Sequence, residues 1–199
     1  MRGVLPMLVA TAILAGCGSS PPTRFYTLDA VKPPAPAVSS KAAVSPVKVN
    51  AVHVPALLDR RAIVRRQAGN QLDISSQDRW GASFGEMARG VLTQDLQSRM
   101  APGAIVPPDA PAPRDARGLV VDILSFVPDG SGQVVLSCDW ALLEGAPAHT
   151  TLLRTVHLSQ PAGGSPANQA DAMSELLGRL ADQIAATLSA QAVAGLPQQ

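Results

Sequence analysis

Few side chains in this sequence can do chemistry near neutral pH: two cysteines, Cys17 and Cys138, and three histidines, His53, His149 and His157. Cys17 ends the run Leu14-Ala15-Gly16-Cys17. Small residues where a peptidase cuts, followed at once by a thiol, suit cleavage and transfer of a diacylglycerol to sulfur. The stretch ahead of it, Val4–Ala15, is apolar apart from Thr11 and follows Arg2. A bilayer-spanning helix needs about 20 apolar residues, so this run has the length of a signal core instead. Residues 1–16 are therefore expected to be a lipoprotein signal peptide, with Cys17 the site of lipid attachment. The plainer alternative is an ordinary signal peptide whose cysteine is incidental.

Little else invites catalysis. The histidines lack the spacing of a metal-binding helix and have no cysteine cluster beside them. No nucleophile elbow, Walker loop or dinucleotide fingerprint occurs. Asp129–Gly132 lacks the acidic spacing of a calcium loop. Asp122 and Asp139 sit among apolar neighbours and read as residues on the solvent face of strands. The reading is of a protein that is not an enzyme, with no cofactor and no metal.

One charged motif stands out. Leu58–Arg66, LDRRAIVRR, carries Arg60, Arg61, Arg65 and Arg66. Such a cluster suits lipid head groups or an acidic partner. It equally suits a solvated hairpin rim balanced by Asp59 and Asp73. Cleavage before Cys17 removes Arg2 and leaves fifteen basic and fifteen acidic side chains. A chain so near neutrality is not built for nucleic acid, which rewards a strongly basic surface.

The elements that must carry these residues follow from periodicity. Asp29–Pro46 and Ala101–Gly118 are rich in proline and read as linker or long loop. Val47–Val54 is a strand whose apolar parity switches near Asn50, which predicts a bulge. Ala62–Arg66 and Gln71–Ser75 form a hairpin around Gly69-Asn70. Asp78–Met100 is helical, with Trp80, Phe84, Met87, Val91, Leu92 and Leu96 along one side. On it Asp95 and Arg99 stand four apart and can pair, a contact worth tenths of a kcal/mol. Gly81 and Gly85 on the same segment suit close packing on a sheet.

Leu119–Val127, Gln133–Leu143 and Thr150–Leu158 are three further strands. Val134, Leu136, Cys138, Trp140 and Leu142 alternate, so Cys138 is expected to be a small buried hydrophobe. A helix over Gln169–Ala194 ends at Gly195 and Pro197. This order predicts an α+β fold, a single mainly antiparallel sheet with two helices packed on one face. Phe25 and Tyr26 are two of only six aromatics. Arg24–Leu28 is short and β-prone and is expected to dock as an edge strand. If it docks, the free tether from Cys17 is Gly18–Thr23, which spans ~20 Å at most; if not, a tether reaching to Pro46 spans ~100 Å.

Several of these segments together resemble a known family. The lipobox cysteine, Tyr26-Thr27-Leu28, Pro55–Arg60, Arg79-Trp80 and Val134–Trp140 occur in the order typical of ABC-type transport auxiliary lipoproteins, the PqiC/YmbA group. Arg61 departs from the pattern, where proline is typical, as does the long loop Ala101–Gly118. The resemblance divides the chain into the signal (1–16), a lipidated N-terminus with linker (17–46) and a family domain (47–195).

It implies a periplasmic subunit of an MCE-type lipid transport system that docks the MCE-domain protein to the outer membrane and supports envelope integrity. The resemblance carries over only Cys17, as the lipid-attachment residue; on the charge reading above, Arg60, Arg61, Arg65 and Arg66 would be partner or head-group contacts, and a homo-oligomer is compatible with this role. Gly18-Ser19-Ser20 lacks an Asp after the cysteine, which by likeness to Gram-negative lipoproteins points to outer-membrane export. The alternatives are a phospholipid-binding carrier and an outer-membrane assembly accessory lipoprotein.

Overall fold

A computed structural model describes residues 21–34 and 45–194. The signal segment and Cys17 lie outside the described residues, as does much of the proline-rich linker. The chain runs β1 (Arg24–Tyr26), β2 (Val47–His53), β3 (Ala62–Arg66), a 3-10 turn (Ala68–Asn70), β4 (Leu72–Trp80), α1 (Phe84–Arg99), β5 (Ile105–Val106), β6 (Arg117–Pro128), β7 (Gln133–Glu144), β8 (His149–Pro161) and α2 (Pro166–Ala194).

The strands form two sheets. One has three strands in the order β1-β4-β3, the other five in the order β5-β2-β6-β7-β8. Both are mixed: β1 runs parallel to β4, and β2 runs parallel to β5 and β6, while the remaining pairs are antiparallel. The expected single, mainly antiparallel sheet is therefore corrected. Pro55 ends the run of β2 and the turn after it redirects the chain, so β3 pairs with β4 and not with β2. β2 is then free to take β6 as a parallel neighbour across the intervening hairpin and helix.

The expected bulge is present: the β2–β6 register slips between Val49 and Ala51. Gly69 and Asn70 turn the β3–β4 hairpin with φ of 69° and 62°, a region that glycine and asparagine tolerate.

Trp80 belongs to β4, not to the helix. Gly81–Ser83 make the turn, and α1 starts at Phe84. The four-residue spacing of Trp80 and Phe84 imitates a helical repeat, and their rings do meet, with centroids 5.2 Å apart. Phe84 also packs edge-on against Phe126 of β6 at 5.8 Å. This trio joins the small sheet, α1 and the large sheet, and each ring is almost wholly buried.

Alternation along β7 buries Val134, Leu136, Cys138, Trp140 and Leu142. Burial pushes the Cys138 thiol up to about 12, which keeps it protonated and unreactive. Both helices lie against the large sheet, α1 on β2 and α2 on β7 and β8, and they pack on each other. Gly85 brings α1 close to β2: a Cβ there would sit 3.1 Å from the Val52 carbonyl oxygen. Each fully buried leucine on the helices is worth about 1.5–3 kcal/mol, and Leu92, Leu96, Leu176, Leu180 and Leu188 are all fully buried.

The proline-rich loop after α1 is pinned rather than free. Lys48 Nζ donates to the Ala110 carbonyl at 2.8 Å, and the Val47 N–H donates to Ala104 at 2.8 Å.

A docked N-terminal strap and an open sheet face

Arg24–Tyr26 docks as an edge strand, in register with Asp78–Trp80. The Gly81 N–H extends this pairing by donating to the Tyr26 carbonyl at 2.8 Å. Asp78 collects three donors: Arg24 Nε at 2.7 Å, the Tyr26 hydroxyl at 3.2 Å and the Ser75 hydroxyl at 2.8 Å. The Arg24 guanidinium is the largest of the influences that hold the Asp78 carboxyl below its usual range.

Beyond β1 the chain continues as a strap across both helices. Leu28 is buried. The Asp29 N–H donates to Ser174 Oγ of α2 at 3.1 Å. Val31 has both backbone groups held: its N–H donates to Asp95 Oδ1 at 2.8 Å, and its carbonyl accepts from Arg99 at 3.1 Å. Arg99 also bridges Asp95 at 3.2 Å and Asp182 of α2 at 2.6 Å.

The Asp95–Arg99 pair expected from its spacing is present, and it is buried. Gly178 makes room for the crossing, because a Cβ there would lie 3.0 Å from Cβ of Val31. The strap is what single-sequence reading missed after Leu28; Val31 carries no signal of its own.

The four arginines do not form one patch. Arg60 and Arg61 are exposed in the turn before β3. Arg65 turns inward, donating through Nε to Gln169 at 3.2 Å and through a terminal nitrogen to the Gly164 carbonyl at 2.9 Å. It lines a cleft of about 380 Å³ with Arg66, Gln67, Asp73, Asp129 and Gly163. Hydrogen bonds from Ser131, Gln133 and Gly132 hold the Asp129 carboxyl below its usual range. Arg66, at the end of β3, lines the same cleft but is exposed. Among the described residues no cluster of His, Cys, Asp and Glu has metal-binding geometry. His53 instead pairs with Asp122, at 2.6 Å, on an exposed surface.

That surface is the outer face of the large sheet. Ala51, Val120, Ala141 and Leu153 stand side by side across β2, β6, β7 and β8. The next row is polar, running His53, Asp122, Asp139 and Thr155. The two acids face each other, and each is steadied from its far side, Asp122 by His53 and Asp139 by the Thr155 hydroxyl at 2.6 Å. Leu153 and Leu124 are the most exposed large apolar side chains of this sheet. Neither helix covers the row, since the residues facing the helices are those of opposite parity.

The family model for the ABC-type transport auxiliary lipoprotein component matches residues 26–185. The chain belongs to this family. It is a family of transport auxiliary lipoproteins, anchored to a membrane of the cell envelope, and not an enzyme class. None of the curated proteins compared matches the chain.

Among solved structures, an uncharacterized protein superposes with a TM-score of 0.63 at 20% identity, over 86% of this chain and 99% of its own. A protein from Xanthomonas campestris superposes with a TM-score of 0.68 at 16% identity, over 87% and 100%. At these identities the likeness is one of fold.

Two outcomes follow from the strap. Replacing a helix-interior glycine by alanine gains about 1 kcal/mol of helix propensity. Gly178→Ala should nevertheless lower global stability, because the new Cβ would press on Val31 and lie 3.3 Å from a terminal nitrogen of Arg99, and should speed amide exchange at Val31, read by hydrogen exchange beside urea unfolding.

The second concerns Asp95, whose carboxyl is raised to about 6 because burial disfavours its charge more than Val31 and Arg99 favour it. A folded-state value above the unfolded 3.8 means that the folded chain binds the proton more tightly. This group's contribution to stability therefore grows as pH falls through 6 and levels off near 3.8, by about 1 kcal/mol per pH unit between them. Asp95→Asn should remove that increment, measured by urea unfolding at pH 5 and 7.5.

Proposed function

We propose that this chain is the docking subunit of an MCE-type intermembrane lipid transport system, anchored through acylated Cys17 in the outer membrane and facing the periplasm. The observation that carries the reading is the docked N-terminal segment. With Arg24–Tyr26 paired to β4, the free tether shrinks to Gly18–Thr23, which spans ~20 Å at most. Such a domain works at the membrane surface and does not sweep the periplasm.

The role is positional: acyl chains fix the domain, and a surface of the domain receives the partner. The outer face of the large sheet has the character required, an apolar row through Leu153 with the His53–Asp122 and Asp139–Thr155 row at its margin. An apolar centre with a polar rim is the usual anatomy of a specific interface. No catalytic step is assigned to any residue. The core between sheet and helices is filled by side chains that are fully buried, which favours docking over carriage of a lipid inside the fold.

A detergent pull-down of the full lipoprotein from its own membranes should recover an MCE-domain protein, with recovery weakened for Cys17→Ala. Leu153→Asp should lower recovery about tenfold, equivalent to ~1.4 kcal/mol, without lowering the amount of lipoprotein in the membrane. Recovery of no transport component, with phospholipid bound in stoichiometric amount, would overturn docking in favour of a carrier. Recovery of a barrel protein alone would favour the assembly-accessory role.

A further inference from the structure

The cleft beside Arg65 plays no part in the docking role. It holds about 380 Å³ and is lined by two arginines, Arg65 and Arg66, and two aspartates, Asp73 and Asp129. Arg65 is fixed from within the fold. Its Nε donates to Gln169 Oε1 at 3.2 Å, and a terminal nitrogen donates to the Gly164 carbonyl at 2.9 Å. Gln169 is itself only 2% exposed and is steadied by donating to the Val64 carbonyl at 3.2 Å. Both acceptors of Arg65 are neutral. They serve a group with five N–H donors, and the other terminal nitrogen is buried with no acceptor among the described residues.

The charges in this cleft do not cancel by pairing. Arg65 stands opposite Asp73 across the β3–β4 pair, yet its bonds go to Gln169 and Gly164. Among the described residues neither arginine and neither aspartate of the cleft joins an ion pair. Asp129 is engaged by its own hairpin. Its Oδ1 accepts from the Ser131 N–H, the Ser131 hydroxyl and the Gln133 N–H at 2.9, 2.7 and 3.0 Å. Arg66 and Asp73 are exposed. A plain anion entering the cleft meets two carboxylates, and a plain cation meets two guanidinium groups. A ligand that carries both charges avoids both penalties.

We infer that this cleft binds a small zwitterionic phosphate ester, with its phosphate on Arg65 and Arg66 and its ammonium group on Asp73 and Asp129. A guanidinium fork already held in place suits phosphate oxygens, which accept from it in pairs. The volume lies at the low end of ligand pockets, roughly 300–1,000 Å³. It admits an aminoalkyl phosphate, free or as the polar end of a larger molecule. Neither the lipid anchor nor Leu153 enters this site, so it stands or falls apart from the docking role.

The test follows the Nε–H resonance of Arg65 in the isotope-labelled full chain, held in detergent micelles, as O-phosphoethanolamine, inorganic phosphate or ethanolamine is added. O-phosphoethanolamine should shift that resonance saturably and bind about tenfold more tightly than either of the other two. Arg66→Ala should weaken binding severalfold, and Asp73→Asn should erase the preference over phosphate. Both positions are exposed, and the remaining resonances read whether each variant keeps its fold. Phosphate or ethanolamine binding as tightly as O-phosphoethanolamine would overturn the inference. So would a preference that survives Asp73→Asn, or the lack of a saturable shift with any of the three. Glycerophosphoethanolamine and vesicles of phosphatidylethanolamine then separate two sources of the same chemistry. A shift of Arg65 by both upholds the site and places the group on a lipid; a shift by free O-phosphoethanolamine alone upholds it for a soluble ligand.

Discussion

The arrangement depends on one buried ion pair whose job is to hold a backbone. Asp95 and Arg99 stand one turn apart on α1, and between them they take both the N–H and the carbonyl of Val31. Breaking such a pair by removing one partner leaves a buried charge uncompensated and typically costs 3–5 kcal/mol. Release of the strap would take from Asp95 and Arg99 the two Val31 backbone groups that they bind. The pair is not free of cost to the fold: one Asp95 oxygen is buried without a partner, and desolvation raises the carboxyl.

From that point the rest follows in order. Because the strap is held, β1 lies on β4, and because β1 lies on β4 in parallel, the tether leaves at one defined end of the small sheet. The Trp80–Phe84–Phe126 cluster then fixes the small sheet relative to α1 and the large sheet. These packed rings join the small sheet to the large sheet whose outer face carries Leu153. Under the docking role proposed above, such a domain needs no moving part, only a fixed height and a fixed heading.

Local elements were legible in the sequence because their signals are local. The β7 alternation, the parity switch at Asn50 and the Gly69-Asn70 turn each dictate structure within a few residues. Sheet membership was not legible, because β2 reaches past a hairpin and a helix to find β6. No periodicity in either strand records that choice. Trp80 was drawn into the helix because Trp80 and Phe84 share a helical spacing while Gly81–Ser83 turn the chain between them. The Asp95–Arg99 pair was visible as a spacing, but its burial depends on a strap 64 residues away in sequence. The arginine-rich segment was visible as charge; only the fold reveals that Arg65 is tied to Gln169 and Gly164 while Arg60 and Arg61 stay exposed in the turn before β3.

The claim that the domain is held close to its membrane is tested most directly by its height. Neutron reflectometry of the full acylated chain on a supported bilayer reads the separation between the head groups and the onset of protein density. The docked strap predicts protein density within ~20 Å of the head groups, the span of the six-residue tether. A hydrated gap of several tens of Å, approaching the ~100 Å that a tether to Pro46 would allow, would contradict it.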